Sequence, residues 1–321
     1  MSNFDMNRRK FIESTGILAA GLLVAPRLMF DEKTHVPIQE SPVTIIKNAA
    51  ATAKINVTKL RGNLSMLEGS GGNILVSYGP DGKLMVDGGI GVSKPNVSAA
   101  LNGIGKNPLK YLVNTHWHFD HVDGNEWLHE AGAVIVAHEN TLKNMSKTTR
   151  VDDWDYTFPP APAGALPEKT FKKKEKLSFN GEEIKMSYYQ PAHTDSDISV
   201  YFPKADVLHV ADIWWNGHYP FIDHNTGGNI KGMIDAANIS LQNSSKDTII
   251  IPGHGPVGNR KQLTEYRDML SDIYDRVRTL KMQGKSVNEV VAAKPTAKYD
   301  AVYGTFIIGP DFFTRLVYRS A

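Results

Sequence analysis

A chain of 321 residues with 41% hydrophobic and 22% charged residues is long enough to bury a substantial core and ordinary for a soluble globular protein. Its 36 Lys and Arg nearly cancel 34 Asp and Glu, and a net charge of +2 gives no electrostatic basis for binding nucleic acid. There is no cysteine, which excludes disulfides, iron–sulfur clusters, thiolate zinc sites and cysteine nucleophiles, so any metal must be held by nitrogen and oxygen.

The first predicted element is a leader. Arg8 and Arg9 precede an apolar stretch over 16–25, too short for a bilayer span of about 20 residues. A basic head and a short apolar region are the layout of an export signal, and the paired arginines resemble a Tat-type signal. Residues 1–35 are therefore set apart from a catalytic domain at 36–321. The expected location is periplasmic or otherwise extracytoplasmic, with membrane contact only through the leader if it stays uncleaved.

Strand-like runs open the body and include a Pro-Asp-Gly hairpin turn at 80–82. A helix is predicted over Lys94–Ile104, then a buried strand "KYLVNTH" that ends in histidines. "GNEWLHEAG" reads as a short helix, "AVIVAHE" as a strand and "ENTLKNMSK" as a helix. Residues 148–170, rich in Pro, Asp and aromatics, read as a long irregular loop. The Lys-rich 169–176 reads as a solvated loop or strand edge. Strands return with an Asn-Gly turn in "KLSFNGEEIKMSYYQPAH", then "DISVYFP" and "DVLHVAD". A Gly- and aromatic-rich loop over 213–229 precedes a helix over Ile230–Gln242 and the strand "DTIIIPGHGP". From Arg260 onward the chain reads as mostly helical, interrupted at Pro295 and Pro310. This alternation predicts an α/β sandwich with helices outside two sheets.

Four strand-like segments end in metal-binding side chains, and strand ends of a layered fold share one rim. "THWHFDHVDGN" holds His116, His118, Asp120 and His121 in the spacing H-x-H-x-D-H. Ligands two apart cannot share one helix face, so this must be a loop. Four ligands exceed what one tetrahedral ion with an open position needs. With His193 after "QPA", Asp212 after "HVA" and His254 in "PGHG", the count becomes seven. It divides into His116, His118 and His193 for one ion, and Asp120, His121 and His254 for a second, with Asp212 placed to bridge. Imidazole and carboxylate favour zinc, two ions per chain, with iron or manganese as the alternatives. His35, His129, His138, His209, His218 and His224 follow no such pattern and read as structural or surface residues.

On these motifs, in this order, the chain resembles metallo-β-lactamase superfamily hydrolases over roughly residues 55–260. The resemblance implies a four-layer αββα metallo-β-lactamase sandwich with a binuclear site on one edge, and it carries the same ligand roles to the same seven residues. It implies a zinc-dependent hydrolase in which an activated water attacks a small-molecule carbonyl (ester, lactone, thioester or amide), with Asp120 as the catalytic residue that orients the water. Missing cysteine and His121 exclude the cysteine-ligand β-lactamases. All-histidine β-lactamases generally lack an aspartate like Asp212, which leaves a class B-like β-lactamase as an alternative. Glyoxalase II-like enzymes share the ligand set, but no helical substrate-binding extension like theirs is evident. A second alternative is an iron-dependent persulfide dioxygenase-like oxidoreductase, and a third is a silent metal binder. Trp154, Tyr156 and Phe158 from one loop, and Trp214, Trp215, Tyr219 and Phe221 from another, are the expected pocket walls.

Overall fold

Parity along the strands builds the layers. In β3 (Ile74–Gly79) and β4 (Gly82–Val86), Leu75, Leu84 and Val86 face one core while Ile74, Val76 and Met85 face another. Such strands are buried on both faces and read as continuous apolar runs, which is how central strands between helices and a second sheet look. The computed structural model describes residues 41–321. The expected leader 1–35, with His35, and positions 36–40 lie outside the described residues.

Two sheets result. The first has seven strands in the order β1-β2-β3-β4-β5-β6-β9, with β1 Asn56–Lys59, β2 Leu64–Glu68, β5 Leu109–Asn114, β6 Val134–His138 and β9 Lys169–Phe171. The second has six, β10 to β15 in sequence order: Lys174–Phe179, Glu182–Tyr188, Ile198–Phe202, Val207–Trp215, Ile249–His254 and Gly258–Asn259. Their facing sides interlock Leu64, Leu75, Val86 and Val113 from one sheet with Ile184, Val200, Phe202 and Ile251 from the other. Helix Lys94–Ile104 covers the outer face of the first sheet through Val97 and Leu101. Helices Ile230–Gln242, Arg260–Met282 and Pro310–Ser320 join the core on the outer face of the second. The architecture is the expected αββα sandwich.

Turn chemistry agrees with the spelling. Asn180 (φ 50°) and Gly181 (φ 77°) both take positive φ between β10 and β11, the requirement of a tight two-residue hairpin. Pro80 and Asp81 link β3 to β4, with Gly79 paired to Gly82.

Three expectations need correction. Residues 148–170 are not an irregular loop: they hold a hairpin of β7 (Thr149–Val151) and β8 (Tyr156–Phe158), and they run into β9, which extends the first sheet beside β6. Three-residue strands carry too few alternations to be read by period. Pro310 opens a helix rather than breaking one, since a first-turn proline has no hydrogen bond to lose. The segment after Asp212 remains strand through Trp215, so β13 is longer than its apolar run implied.

Replacing Phe202, fully buried between the sheets, by Ala is expected to cost about 3–5 kcal/mol in chemical denaturation. A loss below about 1 kcal/mol would show that the sheets do not depend on this contact.

Candidate metal centre

All seven residues singled out in the sequence meet at one rim. His116–His121 follow β5, His193 follows β11, Asp212 lies in β13 and His254 ends β14, so both sheets contribute. One ligand atom each from His116, His118, His193 and Asp212 lies within 4.8 Å of the others, and so do those of Asp120, His121 and His254. Asp212 stands between the groups. Its Oδ2 is 3.3 Å from His193 Nε2 and from His254 Nε2, and its Oδ1 is 3.1 Å from His121 Nε2.

Local structure explains how each side chain is aimed. His118 caps the short helix Phe119–Val122, which carries Asp120 and His121. Asp212 sits where β13 shifts register against β14, at a residue following Ala211 (φ 48°), so the irregularity turns its carboxylate toward the rim. Gly253 allows the close approach: a Cβ there would lie 1.8 Å from Asp212 Oδ1. Asn73 binds the His254 loop to the first sheet, its side chain donating to Pro252 O and Gly255 O, while its backbone N–H donates to Gly253 O.

Two carboxylates unnoticed in the sequence set the imidazole orientations. Asp87, just after β4, accepts from His121 Nδ1 at 2.8 Å and from Thr115 N and Oγ1. The Thr115 hydroxyl thus has its oxygen free to accept from His116 Nδ1 at 3.0 Å. Asp223 accepts from His118 Nε2 at 3.0 Å and from Thr226 Oγ1. His193 Nδ1 donates to Phe221 O at 2.8 Å. These bonds leave a lone pair on His116 Nε2, His118 Nδ1, His121 Nε2 and His193 Nε2, all facing inward. A ring nitrogen held by an outer acceptor is the usual second layer of a metal-binding histidine. "MVDGG" and "FIDHN" do put an aspartate near a strand end or loop, the one hint available, but neither has a ligand-like spacing.

Whether the site fits metal is decided by its unpaired atoms. His118 Nδ1 and His193 Nε2 face each other at 2.8 Å, an arrangement of two lone pairs that needs a proton or cation beside it. His116 Nε2, His121 Nε2, Asp212 Oδ1 and His254 Nε2 are sealed from solvent with no hydrogen-bond partner. Buried polar atoms left unpaired are costly, and here they converge on shared points. Nitrogen and oxygen donors of this kind fit zinc or another divalent ion.

Electrostatics agree. Burial works against charge on Asp212, but His254, His121 and His193 outweigh it and hold the carboxyl well below its usual value. Burial also opposes charge on His254, yet Asp212 and Asp120 push its pKa up to about 9. Burial brings His193 down to about 4, keeping it neutral as a ligand must be. The carboxylates demand positive charge at this point in the fold.

The aromatic wall divides. Trp154 and Phe221 stack at 4.5 Å and flank His118, and Trp215 lies 4.2 Å from the His254 ring. Phe158 and Tyr156 pack beneath Trp154 with Phe119 and the helix Pro42–Ala50. Trp214 and Tyr219 do not line the rim. Both are fully buried, and Tyr219 stacks on Phe313 while its hydroxyl bonds Thr296 O and Asp300. Of the histidines read as structural, His138 bonds Lys172 O, His209 bonds Asn73 O and His224 bonds Leu316 O, while His129 lies near Glu168.

A four-layer sandwich with a histidine–aspartate cluster on the rim shared by its sheets defines a class of proteins built to hold metal at a sheet edge. The chain belongs to the metallo-beta-lactamase superfamily, whose family model matches residues 67–254. It is similar to a linear primary-alkylsulfatase of Pseudomonas sp., 24% identical over 252 residues that cover 66% of this chain and 48% of that one. The chain thus spans about half the length of that curated relative. Among solved structures, the sec-alkylsulfatase Pisa1 from Pseudomonas sp. aligns with a TM-score of 0.62 at 18% identity, covering 84% of this chain and 51% of that one. The metallo-beta-lactamase from Pontibacter korlensis aligns at 0.55 and 19% identity, covering 68% of this chain and all of the other. At these identities the structures testify to the fold.

Replacing Asp223 by Ala frees the His118 ring and is expected to weaken metal affinity about 10–100-fold in chelator competition. Native affinity in that variant would remove Asp223 as the residue that aims His118.

Proposed function

We propose that this chain is a zinc-dependent hydrolase holding two ions, one on His116, His118 and His193, the other on Asp120, His121 and His254, with Asp212 shared. The observation that carries this reading is the convergence of seven ligand-type side chains on one rim, four of their inward atoms sealed there without a hydrogen bond. When bound, such ions supply Lewis acidity, polarising the scissile group and lowering the pKa of water toward about 7.

The chain's own residues do the rest. Asp120 and His254 are the exposed edge of the cluster, each side chain 12% accessible, with 3.2 Å between Asp120 Oδ2 and His254 Nε2. Substrate and water meet the site there. Asp120 accepts a hydrogen bond from the attacking water, fixes its direction and takes up its proton. Burial raises the energy of its charged form, but His121 and His254 more than offset that, so the carboxylate stays ionised and able to accept. Asp87 and Asp223 hold the imidazoles still, so little reorganisation accompanies turnover. Trp154, Phe221 and Trp215 exclude water from the flanks of His118 and His254.

The reacting centre in this reading is the carbonyl of a small ester, lactone, thioester or amide. A second reading, hydrolysis of a sulfate ester, is favoured by the similarity to two alkylsulfatases. We also propose export through the leader 1–35 to an extracytoplasmic compartment, with no nucleic-acid partner.

Purified protein loaded with zinc is expected to retain two ions per chain and to hydrolyse members of a panel of carboxylic esters, lactones, thioesters, β-lactams and alkyl sulfates. Asp120→Asn should keep the fold and reduce kcat about a hundredfold or more on whichever substrate responds. Iron retained at one ion per chain with oxygen uptake would replace the hydrolase reading by an oxygenase. Native turnover in Asp120→Asn would take that carboxylate out of the mechanism.

A further inference from the structure

Three of the eight large hydrophobic side chains exposed among the described residues fall within six positions: Val302 at 59%, Phe306 at 37% and Ile307 at 42%. The other five are scattered. Single exposed hydrophobics are normal on a protein surface, but a contiguous group beside a polar site marks a binding surface. This group ends helix Asp300–Tyr303 and occupies the glycine-flanked turn 304–309, held in place by the buried Ile308.

The turn lies next to the open side of the cluster. His116, His118, His121, His193 and Asp212 are sealed, with side chains at most 2% exposed, so access is past Asp120 and His254. Trp215 packs on His254 at 4.2 Å, Phe306 meets Trp215 edge-on at 6.3 Å, and His218 lies against Phe306 at 4.4 Å. Trp215 is itself buried, at 3% exposure, so a continuous run of ring contacts leads from the cluster to the exposed Phe306, with Ile307 beside it. His218 belongs to it as a flat neutral ring: burial holds its pKa down to about 4, and its Nδ1 is sealed with no hydrogen-bond partner. By its spacing His218 reads as a structural or surface residue, and its place in the stretch that leaves Asp212 directly is the one sequence hint of this surface.

We propose that Phe306 and Ile307, backed by Trp215 and His218, form a lip that binds an apolar arm of the substrate, so that the enzyme prefers esters carrying an extended alkyl chain. This rests on the hydrolase reading for the reacting group, but the lip itself is a binding surface and can be tested by binding alone. Whether the ester is carboxylic or sulfate, the arm would lie along the same residues, with Phe306 and Ile307 as the outermost contacts.

The test uses zinc-loaded full-length protein and uncleavable n-alkanesulfonates, ethyl, hexyl and decyl, followed by tryptophan fluorescence. Affinity is expected to rise about threefold for each methylene that the lip covers. The decyl-to-ethyl affinity ratio should fall roughly tenfold in Phe306→Ser and again in Ile307→Ser, with metal content and circular dichroism as controls for folding. Absence of sulfonate binding, a flat dependence on chain length, or an unchanged ratio in both variants overturns the lip. So does a concentration-dependent dimer of the native chain that Phe306→Ser dissociates while the ratio stays constant, since the surface would then face a second copy. A protein that shows the chain-length slope yet hydrolyses no ester keeps the lip and loses the hydrolase reading. One that hydrolyses esters without the slope does the reverse.

Discussion

A charged carboxylate at 2% exposure is the constraint around which this protein is arranged. Asp212 cannot be buried alone, because removing an unpaired charge from water costs far more than a fold of this size can spare. Four imidazoles surround it, those of His116, His193 and His254 toward Oδ2 and that of His121 toward Oδ1. Each of those rings apart from His254 is in turn held by an outer acceptor, the Thr115 hydroxyl, the Asp87 carboxylate or the Phe221 carbonyl, so the rim is a nested set of hydrogen bonds around one charge. The register shift in β13 and the glycine at 253 exist at the points where the backbone must bend or approach closely to let this happen.

The candidate ligand set was legible in the sequence because ligation would impose residue type and spacing together. H-x-H-x-D-H in a loop after a strand is a pattern that packing alone seldom produces, and the three downstream ligands each follow a strong apolar run. The layers were legible too, since alternating buried strands and amphipathic helices leave a period. Asp87 and Asp223 were not, because a residue that aims a ligand needs only to reach one ring nitrogen, and many positions can do that. The hairpin at 149–158 was hidden by its brevity. Trp214 and Tyr219 were misplaced for a different reason. An aromatic beside a site looks the same in sequence whether it faces the opening or the core, and only the continuation of β13 and the helices after Asp300 decide it.

Polar order and apolar packing meet on the flanks of the cluster. Trp154 stands between the hairpin, Phe221 and the helix Pro42–Ala50, and Ser41 Oγ donates to its carbonyl. Lys47 reaches Asp123 at 2.6 Å, and Asp123 also accepts from Gly91 N, which ties this helix to the loop that follows the ligands. One side of the cluster is thereby closed by several mutually braced elements. On the other side, the loop at Gly71 and Gly72 packs against Asp120 and His121, and Trp215 packs on His254.

Because the first sheet supplies His116 to His121 and the second supplies His193, Asp212 and His254, no single loop fixes the distance between them. That distance is set by the side chains wedged between the sheets, Phe202 and Val113 among them, together with Asn73, which ties the His254 loop to the first sheet. The interior thus acts as the ruler of the rim. Diversification of ion preference in such a protein would run through volume changes in its middle layer, at positions that never touch an ion.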